Sequence, residues 1–449
     1  MARTSPLSML HQQAGAMIGP FGPPDDPIAV VEACDFVETE YAALRKSVVM
    51  LDQPQRGTIE VRGADRVAFL NRMVTQELKG LGSFQVRRSF WLSRKGRIDA
   101  DLRLIELPDR MLIDLDAHSA SAMGERKGAA QTLMQFVFSE DVTLEDQSEQ
   151  WHRCALHGPA AAALLASLCV HSAGPLINNL AVSQACIVRI GEREVIVDRD
   201  DSGGEIGLEL LMKLEDTLAV YEALSAPPDI ESREDGLGYQ GATRAAGPHQ
   251  SAPGGIPRAR RIGWHAYNIA RIEAGTPKYF IDFGPTSLPH ETGVLADRVS
   301  FKKGCYLGQE VVARMESLGH PKQRLVALKL TESAMTPSAP ADSPLQVSTS
   351  SDSGGDDPAA AGSRQPITGS SVFHVPSLDA SLAAQPAPEI VGAVTSSTIS
   401  PMLGGLCVCL AMVKNKHTTA GTSLLVEVDE GSADRMTAVV QGSLVLWKR

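Results

Sequence analysis

Lys303-Gly304-Cys305-Tyr306-Leu307-Gly308-Gln309-Glu310 sets a thiol between two glycines, directly after the Lys302-Lys303 pair, and follows it with an amide and a carboxylate. Ammonium groups nearby favour the thiolate, and glycines let backbone come close to a ligand. The octapeptide therefore reads as a reactive or ligand-facing loop, against the plainer alternative of a tight turn whose cysteine packs. Upstream lie Arg271-Ile272-Glu273-Ala274-Gly275 and Leu288-Pro289-His290-Glu291, which with the octapeptide form one dense block of polar and glycine residues.

This block resembles the signature of the YgfZ family, folate-binding proteins related to the T-protein, the aminomethyltransferase of the glycine cleavage system. The resemblance runs from about 32 to 447, interrupted by two low-complexity stretches. It implies an α+β, three-domain folate-binding fold of the T-protein kind with a small C-terminal β-barrel. Gly392-Ala393-Val394-Thr395-Ser396 and Ser400-Pro401 are the matching landmarks of that barrel.

Working outward, the patterns agree with such a fold. Residues 1–30, rich in Gly, Pro and Met, read as a flexible arm, and 31–330 as the folate-binding region of two intertwined α+β domains. Within it, 37–51 has helix-forming composition, 58–61 is a short strand, and 65–78 places Val67, Leu70, Val74 and Leu78 at helical spacing. Residues 90–92, a turn at 93–96 and 98–104 read as a hairpin. Its second strand turns Ile98, Ala100, Leu102 and Leu104 to the core and leaves Arg97, Asp99, Asp101 and Arg103 on the other face, either solvated or part of a polar site. Residues 111–115 make a strand, 119–138 a helix, and 154–159 a strand leading into the Ala-rich helix 160–168. Gly, Pro, Ala and Arg crowd 226–261, where 236–257 reads as a loop insertion. From 331 to 362 the chain is almost pure Ser, Ala, Pro, Gly and Asp, too polar to offset its ordering entropy, and reads as a disordered linker. Beyond it, 363–449 carries short strands at 390–395, 407–413, 423–428 and 437–446, the pattern of a small barrel.

Composition narrows the function. At 449 residues and 43% hydrophobic content the chain is long enough for roughly three domains with real cores. A formal charge of −11 without a dense Lys/Arg run argues against a nucleic-acid groove or an anionic membrane as partner. No apolar run of membrane-spanning length and no signal-like segment in 1–24 is present, so a cytoplasmic location is expected. The seven cysteines form neither a disulfide framework nor a CxxC pair, and no metal is expected; Cys407 and Cys409 share one face of a strand as packed thiols. No P-loop, Rossmann fingerprint or HExxH pattern occurs.

The resemblance supplies candidate site residues. A reduced pterin carries amide and amine hydrogens that want a carboxylate, and a folate's glutamates want an arginine. Asp201-Ser202-Gly203-Gly204-Glu205-Ile206-Gly207-Leu208-Glu209 resembles the T-protein's Gly-Glu-x-Gly-x-Glu segment, with the pterin-holding acid falling on Glu205. The family's Arg-x-Glu-Ala-Gly arginine, a folate contact, falls on Arg271, which could equally be a buried arginine paired with Glu273 or Asp282. The catalytic carboxylate beside the reacting folate nitrogen falls on Asp101, or on Asp99 in a slipped register. In the motif loop Cys305 is the working thiol, kept available by Lys302 and Lys303, with Gly304, Tyr306, Gly308, Gln309 and Glu310 shaping the turn. Two departures weaken transferase chemistry: the T-protein's Asp-Val-Ser-His is Asp52-Gln53-Pro54-Gln55 here, and its Gly-Tyr-Thr is Asp201-Ser202-Gly203. The implied function is a tetrahydrofolate-binding protein that supports iron-sulfur cluster assembly or repair, its partners being client enzymes or assembly proteins. The alternative is an aminomethyltransferase carrying a one-carbon unit to tetrahydrofolate.

Overall fold

In the computed structural model the described residues are 3–121, 127–226, 252–331, 365–374, 388–428 and 434–447. Among the described residues, three large sheets, beside one two-stranded pair, carry the α+β architecture. The first is antiparallel and five-stranded, in the order Val86–Leu92, Ile98–Glu106, Met111–Asp116, Arg56–Arg62, Thr143–Asp146. Its hairpin alternates as expected: Ile98, Ala100 and Leu104 are fully buried, and Ala100, Leu102 and Leu104 pack with Phe69 and Leu70 of the helix Arg66–Met73.

The second sheet has seven strands, ordered Val170–Ala173, Ala185–Ile190, Arg193–Arg199, Gly207–Lys213, Trp151–His157, Val49–Asp52, Arg260–Ile262, with only the last pair parallel. One face meets the helices Ala161–Leu168 and Thr217–Leu224 through Leu164, Leu165, Val220 and Leu224. The opposite face meets the five-stranded sheet: Val86, Ile105 and Leu112 pack against Trp151, Ile196 and Leu211. Beside that apolar contact the two sheets face each other with charged side chains, and there the central cavity opens.

The third sheet is a closed antiparallel barrel, in the order Gln323–Thr331, Leu406–Lys414, Glu389–Ser400, Ser371–His374, Ser423–Glu427, Arg435–Val440. Val326, Leu328 and Leu330 point inward with Cys407 and Cys409, while Leu325 and Ala327 on the alternate face pack on Ile272 of the helix Trp264–Glu273. Both faces of that strand are covered, which explains its continuous apolar run.

Several boundaries differ from the reading of the sequence. Residues 1–30 are not a loose arm: the described part forms a helix, Ser8–Gln13, and a strand, Met17–Phe21, paired with Ile28–Ala33, because His11 and Ser5 bond to buried Asp52 and Phe21 packs on the core. The helix expected over 37–51 stops at Lys46, and Val49–Asp52, buried on both faces, becomes a strand. Against the single helix expected over 119–138, the described residues there form two short ones, Ala117–Ala120 and Ala129–Met134. Gly128 between them is extended and lies so close to Ala120 that a Cβ would stand 2.2 Å from its carbonyl oxygen. The barrel begins with Gln323–Thr331, ahead of the boundary expected at 363, because that strand closes the ring between Leu406–Lys414 and Arg435–Val440. Most of the expected linker (332–362) and of the loop insertion (236–251) lies outside the described residues. Among the described residues no helix is long and apolar enough to cross a membrane.

Candidate functional site

The central cavity lies between the two α+β sheets and is roofed by the helix Trp264–Glu273 and the segment that follows it. A ladder of alternating charges crosses its floor. Arg56 forks onto Asp114, with Nε–Oδ1 3.0 Å and Nη2–Oδ2 2.8 Å. Arg153 stands 3.2 Å from Asp114 and 3.3 Å from Asp198, Arg103 pairs with Asp198 and lies 3.1 Å from Asp200, and Arg88 also pairs with Asp200. Burial alone would raise the Asp200 carboxyl, but Arg88 and Arg103, with Lys278 and Arg298 behind them, more than offset it and hold it well below the usual range. The same contest keeps Asp114 low, with Arg153 and Arg56 prevailing over burial.

Three carboxylates of the lumen stand apart from the ladder: Asp116, which bonds to His118, and Asp101 and Glu209. Asp101 faces the cavity and accepts from Arg298 Nε at 2.9 Å, with Nη2 at 3.4 Å. Asp99 lines a separate cavity with Trp91, Ser119 and Lys127, whereas Asp101 lines the central lumen. The expected polar strand face is divided, since Arg97 is exposed and donates to the Thr286 carbonyl whereas Arg103 is buried in the ladder.

The third carboxylate is Glu209, which was not singled out from the sequence. It sits in the strand Gly207–Lys213, whose Leu208, Leu210 and Met212 face the helices, so Glu209 shares with Leu211 the face turned toward the other sheet. The residue is 5% exposed; Oε1 lies 3.5 Å from Gln53 Nε2, and Oε2 has no hydrogen-bond partner. An acid inside an otherwise apolar strand was the available signal, because such a position is retained only where something compensates the charge. Cross-strand from it, Asp198 is compensated by Arg153 and Arg103.

Glu205, expected to hold a pterin, lies in the turn before that strand and lines an adjoining outer cleft of about 530 Å³ rather than the central lumen. Its Oε1 is 3.9 Å from Arg45, whose guanidinium also donates to Gly203 O and Glu273 and lies 4.3 Å over the Trp447 ring. The reason is positional: Gly204 turns the chain at φ +81° before the strand begins, so the two acids of one motif point into different spaces. Cleft and lumen meet at Arg88, Asp200 and Thr276.

Of the two places open to Arg271, on a folate or buried in an ion pair with Glu273 or Asp282, the structure shows the pair with Asp282. It is 1% exposed, pairs with Asp282, and donates to Asn268 Oδ1 at 2.8 Å and to Ser396 Oγ at 2.6 Å. Asp282 accepts from Thr395 and Ser396 as well, so this ion pair fastens the helix to the barrel. Glu273 is occupied by Tyr41, Arg45 and Ser400.

The motif loop forms a clasp. Lys303 is buried, and its Nζ donates to the carbonyls of Asn71 at 2.5 Å, Val74 at 2.7 Å and Gln76 at 2.9 Å, capping the C-terminal end of the helix Arg66–Met73. Its charge is thus taken up by carbonyls, contrary to the expectation that it serves the thiol. Tyr306 is buried with Phe90, Ile98 and Tyr279. Gly308 has φ +79°, and a Cβ there would lie 2.7 Å from Ser93 O, so glycine is required where the helix Gln309–Leu318 starts. Glu310 stands in that helix's first turn, and Gly304 has open space around it. Cys305 is the exposed cysteine among the seven, outside the lining of the lumen.

Known proteins share this architecture. Residues 7–245 match the model of the GCVT N-terminal domain. A probable aminomethyltransferase of Natronomonas pharaonis is 25% identical over 98% of both chains, and an aminomethyltransferase of Geobacillus kaustophilus is 25% identical over 74% of this chain and 80% of its own length. The crystal structure of the glycine cleavage system aminomethyltransferase T from Bartonella henselae superposes with a TM-score of 0.73 at 21% identity, covering 100% of this chain and 99% of that one. With the family model spanning more than half of its residues, the chain belongs to the GCVT N-terminal domain family, and its fold is that of the Bartonella aminomethyltransferase T.

Proposed function

We propose that this chain binds tetrahydrofolate or a derivative in the central lumen and, in the manner of YgfZ proteins, supports assembly or repair of iron-sulfur clusters in client enzymes. The observation that carries the folate half is the presence in one lumen of an unpartnered Glu209 oxygen and the Arg298-held Asp101 carboxylate. A pterin offers amide and amine hydrogens to Glu209, and Tyr267 and Tyr279 provide flat apolar walls. Asp101, on the neighbouring wall, accepts or returns a proton when a one-carbon unit moves on a folate nitrogen. The lumen holds about 80 Å³ with its side chains as they stand, room for only a few waters, so a bicyclic ring enters as the long side chain of Lys278 swings aside while Arg298 keeps Asp101. Arg88, common to lumen and cleft, is the guanidinium we assign to the glutamate end.

The accessory half rests on the intact octapeptide and its exposed thiol. Arg298, which grips Asp101, opens the segment leading to Cys305, so the loop is mechanically tied to the ligand chamber. A second reading, aminomethyl transfer from a lipoyl-borne group to tetrahydrofolate, is favoured by Asp101 in the lumen and by the names of the relatives, and it needs no thiol at 305. One experiment separates them: purified protein with lipoylated carrier, glycine-derived aminomethyl group and tetrahydrofolate, run beside Cys305→Ser, with rescue of iron-sulfur enzyme activity in cells lacking the protein. Loss of rescue in Cys305→Ser with folate affinity intact and no transfer supports the accessory role. Transfer that survives Cys305→Ser assigns the transferase role, and failure of tetrahydrofolate to bind removes both.

A further inference from the structure

The strand that delivers Gln53 to the lumen ends in Asp52, and three further metal-capable side chains converge on that carboxylate. Asp52 pairs across the ladder with Cys154, and His152 lies on the same face of the neighbouring strand. His11 reaches them from the N-terminal helix. His152 Nε2 is 2.6 Å from Asp52 Oδ1, His11 Nε2 is 2.9 Å from Oδ2, and the ligand atoms of Asp52, His152 and Cys154 all lie within 4.8 Å of one another. Ser5 Oγ also donates to Oδ2, at 2.5 Å. All four potential ligands are buried.

We propose that His11, Asp52, His152 and Cys154 form a structural site for a tetrahedral divalent transition metal, with zinc the best fit. Two imidazole nitrogens, one carboxylate oxygen and one thiolate are donors zinc accepts, and four protein ligands leave no open position, as in structural rather than catalytic sites. The thiolate disfavours magnesium and calcium, which prefer oxygen shells. One dication with one carboxylate and one thiolate is neutral, which suits a buried position. Bond lengths of about 2.0–2.3 Å put tetrahedral ligand atoms roughly 3.3–3.8 Å apart, so the sulfur closes in on Asp52 and His152, and His11, which touches Asp52 but lies outside that 4.8 Å group, moves toward the ion with the N-terminal helix. The ion would tie the N-terminal helix to two strands of the seven-stranded sheet and fix the start of the segment carrying Gln53 and Gln55, both lumen residues.

The competing account is a hydrogen-bonded acid–histidine cluster that takes no metal. The full chain, freed of any affinity tag and stripped with chelator, is titrated with cobalt(II) and followed by absorption and elemental analysis. One equivalent should bind with a near-ultraviolet thiolate-to-cobalt band that zinc abolishes by displacement; Cys154→Ser should lose the band, and Cys34→Ser should keep it. Melting temperature should fall on chelation and recover with zinc. Binding of less than about a tenth of an equivalent by the unmutated chain overturns the proposal whether or not the variants fold, and so does a band that persists in Cys154→Ser.

Discussion

Replacing Glu209 by Gln tests whether the central lumen holds the pterin. In the free chain this carboxylate has one oxygen without a partner and the other 3.5 Å from Gln53, so the substitution removes no strong hydrogen bond. It does remove an anion beside the guanidinium of Arg56, whose protonated form Glu209 helps to favour. The expected cost to folding is therefore about 1 kcal/mol or less, a shift of a few degrees in Tm. Ligand binding should respond more strongly. A charge-assisted hydrogen bond contributes about 1.5–3 kcal/mol, and about 1.4 kcal/mol is a factor of ten, so Kd for tetrahydrofolate should rise roughly 10- to 150-fold. Anaerobic titration calorimetry on Glu209→Gln and Glu205→Gln, with melting curves of both, makes the comparison; Glu205→Gln, in the outer cleft, should stay within about threefold. If Glu209→Gln binds as tightly as the parent while Glu205→Gln loses about tenfold, the pterin lies in the cleft and the assignment of the lumen is wrong.

Asp101→Asn should lower any one-carbon transfer by about 100-fold or more while changing folate affinity far less, as single-turnover assays would show. Arg271→Met should cost about 3–5 kcal/mol by leaving Asp282 buried without its cation, yet folded protein should retain its Kd; a weakened Kd at unchanged Tm would return Arg271 to the ligand site. Because Asp200, Asp114 and Asp52 are held below the ordinary carboxylate range in the fold, their stabilisation is full above the unfolded value of about 4 and is lost as pH falls through the depressed ones. Melting curves between about pH 6 and pH 2 should fall steeply only at the acid end, and Asp200→Asn should flatten that slope. Limiting alkylation at neutral pH should label Cys305 first, since it is exposed while burial pushes the Cys34 and Cys186 thiols up to about 12; peptide mass spectrometry reads the order, and earlier labelling of Cys34 would count against a working thiol at 305.

The fold was legible where one face of an element is apolar at a fixed period. The 98–104 alternation, the barrel strands near 390–395 and 407–413, and the strand over 111–115 appear within a few residues of where their patterns lie. Elements with both faces covered were harder. Val49–Asp52 and Gln323–Thr331 hold only short apolar runs, Val49–Leu51 and Leu325–Leu328, without a period, and such runs do not tell a strand from a helix. Of the two acids the resemblance left open, Asp101 lines the lumen and Asp99 another cavity, while Glu205 and Glu209 of one motif line different spaces, which the linear pattern cannot separate.

By itself the sequence determined what local chemistry determines: strand alternation, glycine at Gly308 where the backbone turns left-handed, a polar hairpin face containing Asp101, and a motif loop with an exposed thiol. Partnership was decided only by tertiary structure. Lys303 finds three carbonyls at the end of another helix, Arg271 finds Asp282 and the barrel, and Arg103 finds Asp198 and Asp200 across the sheet interface. His11 and His152 meet Asp52 over separations of 41 and 100 residues. A buried charge takes the role of whichever opposite charge or dipole folding brings within a few ångströms, because desolvation makes an unpaired ion costly. Residue type states only that a partner is needed; packing of the sheets, helices and barrel selects which one.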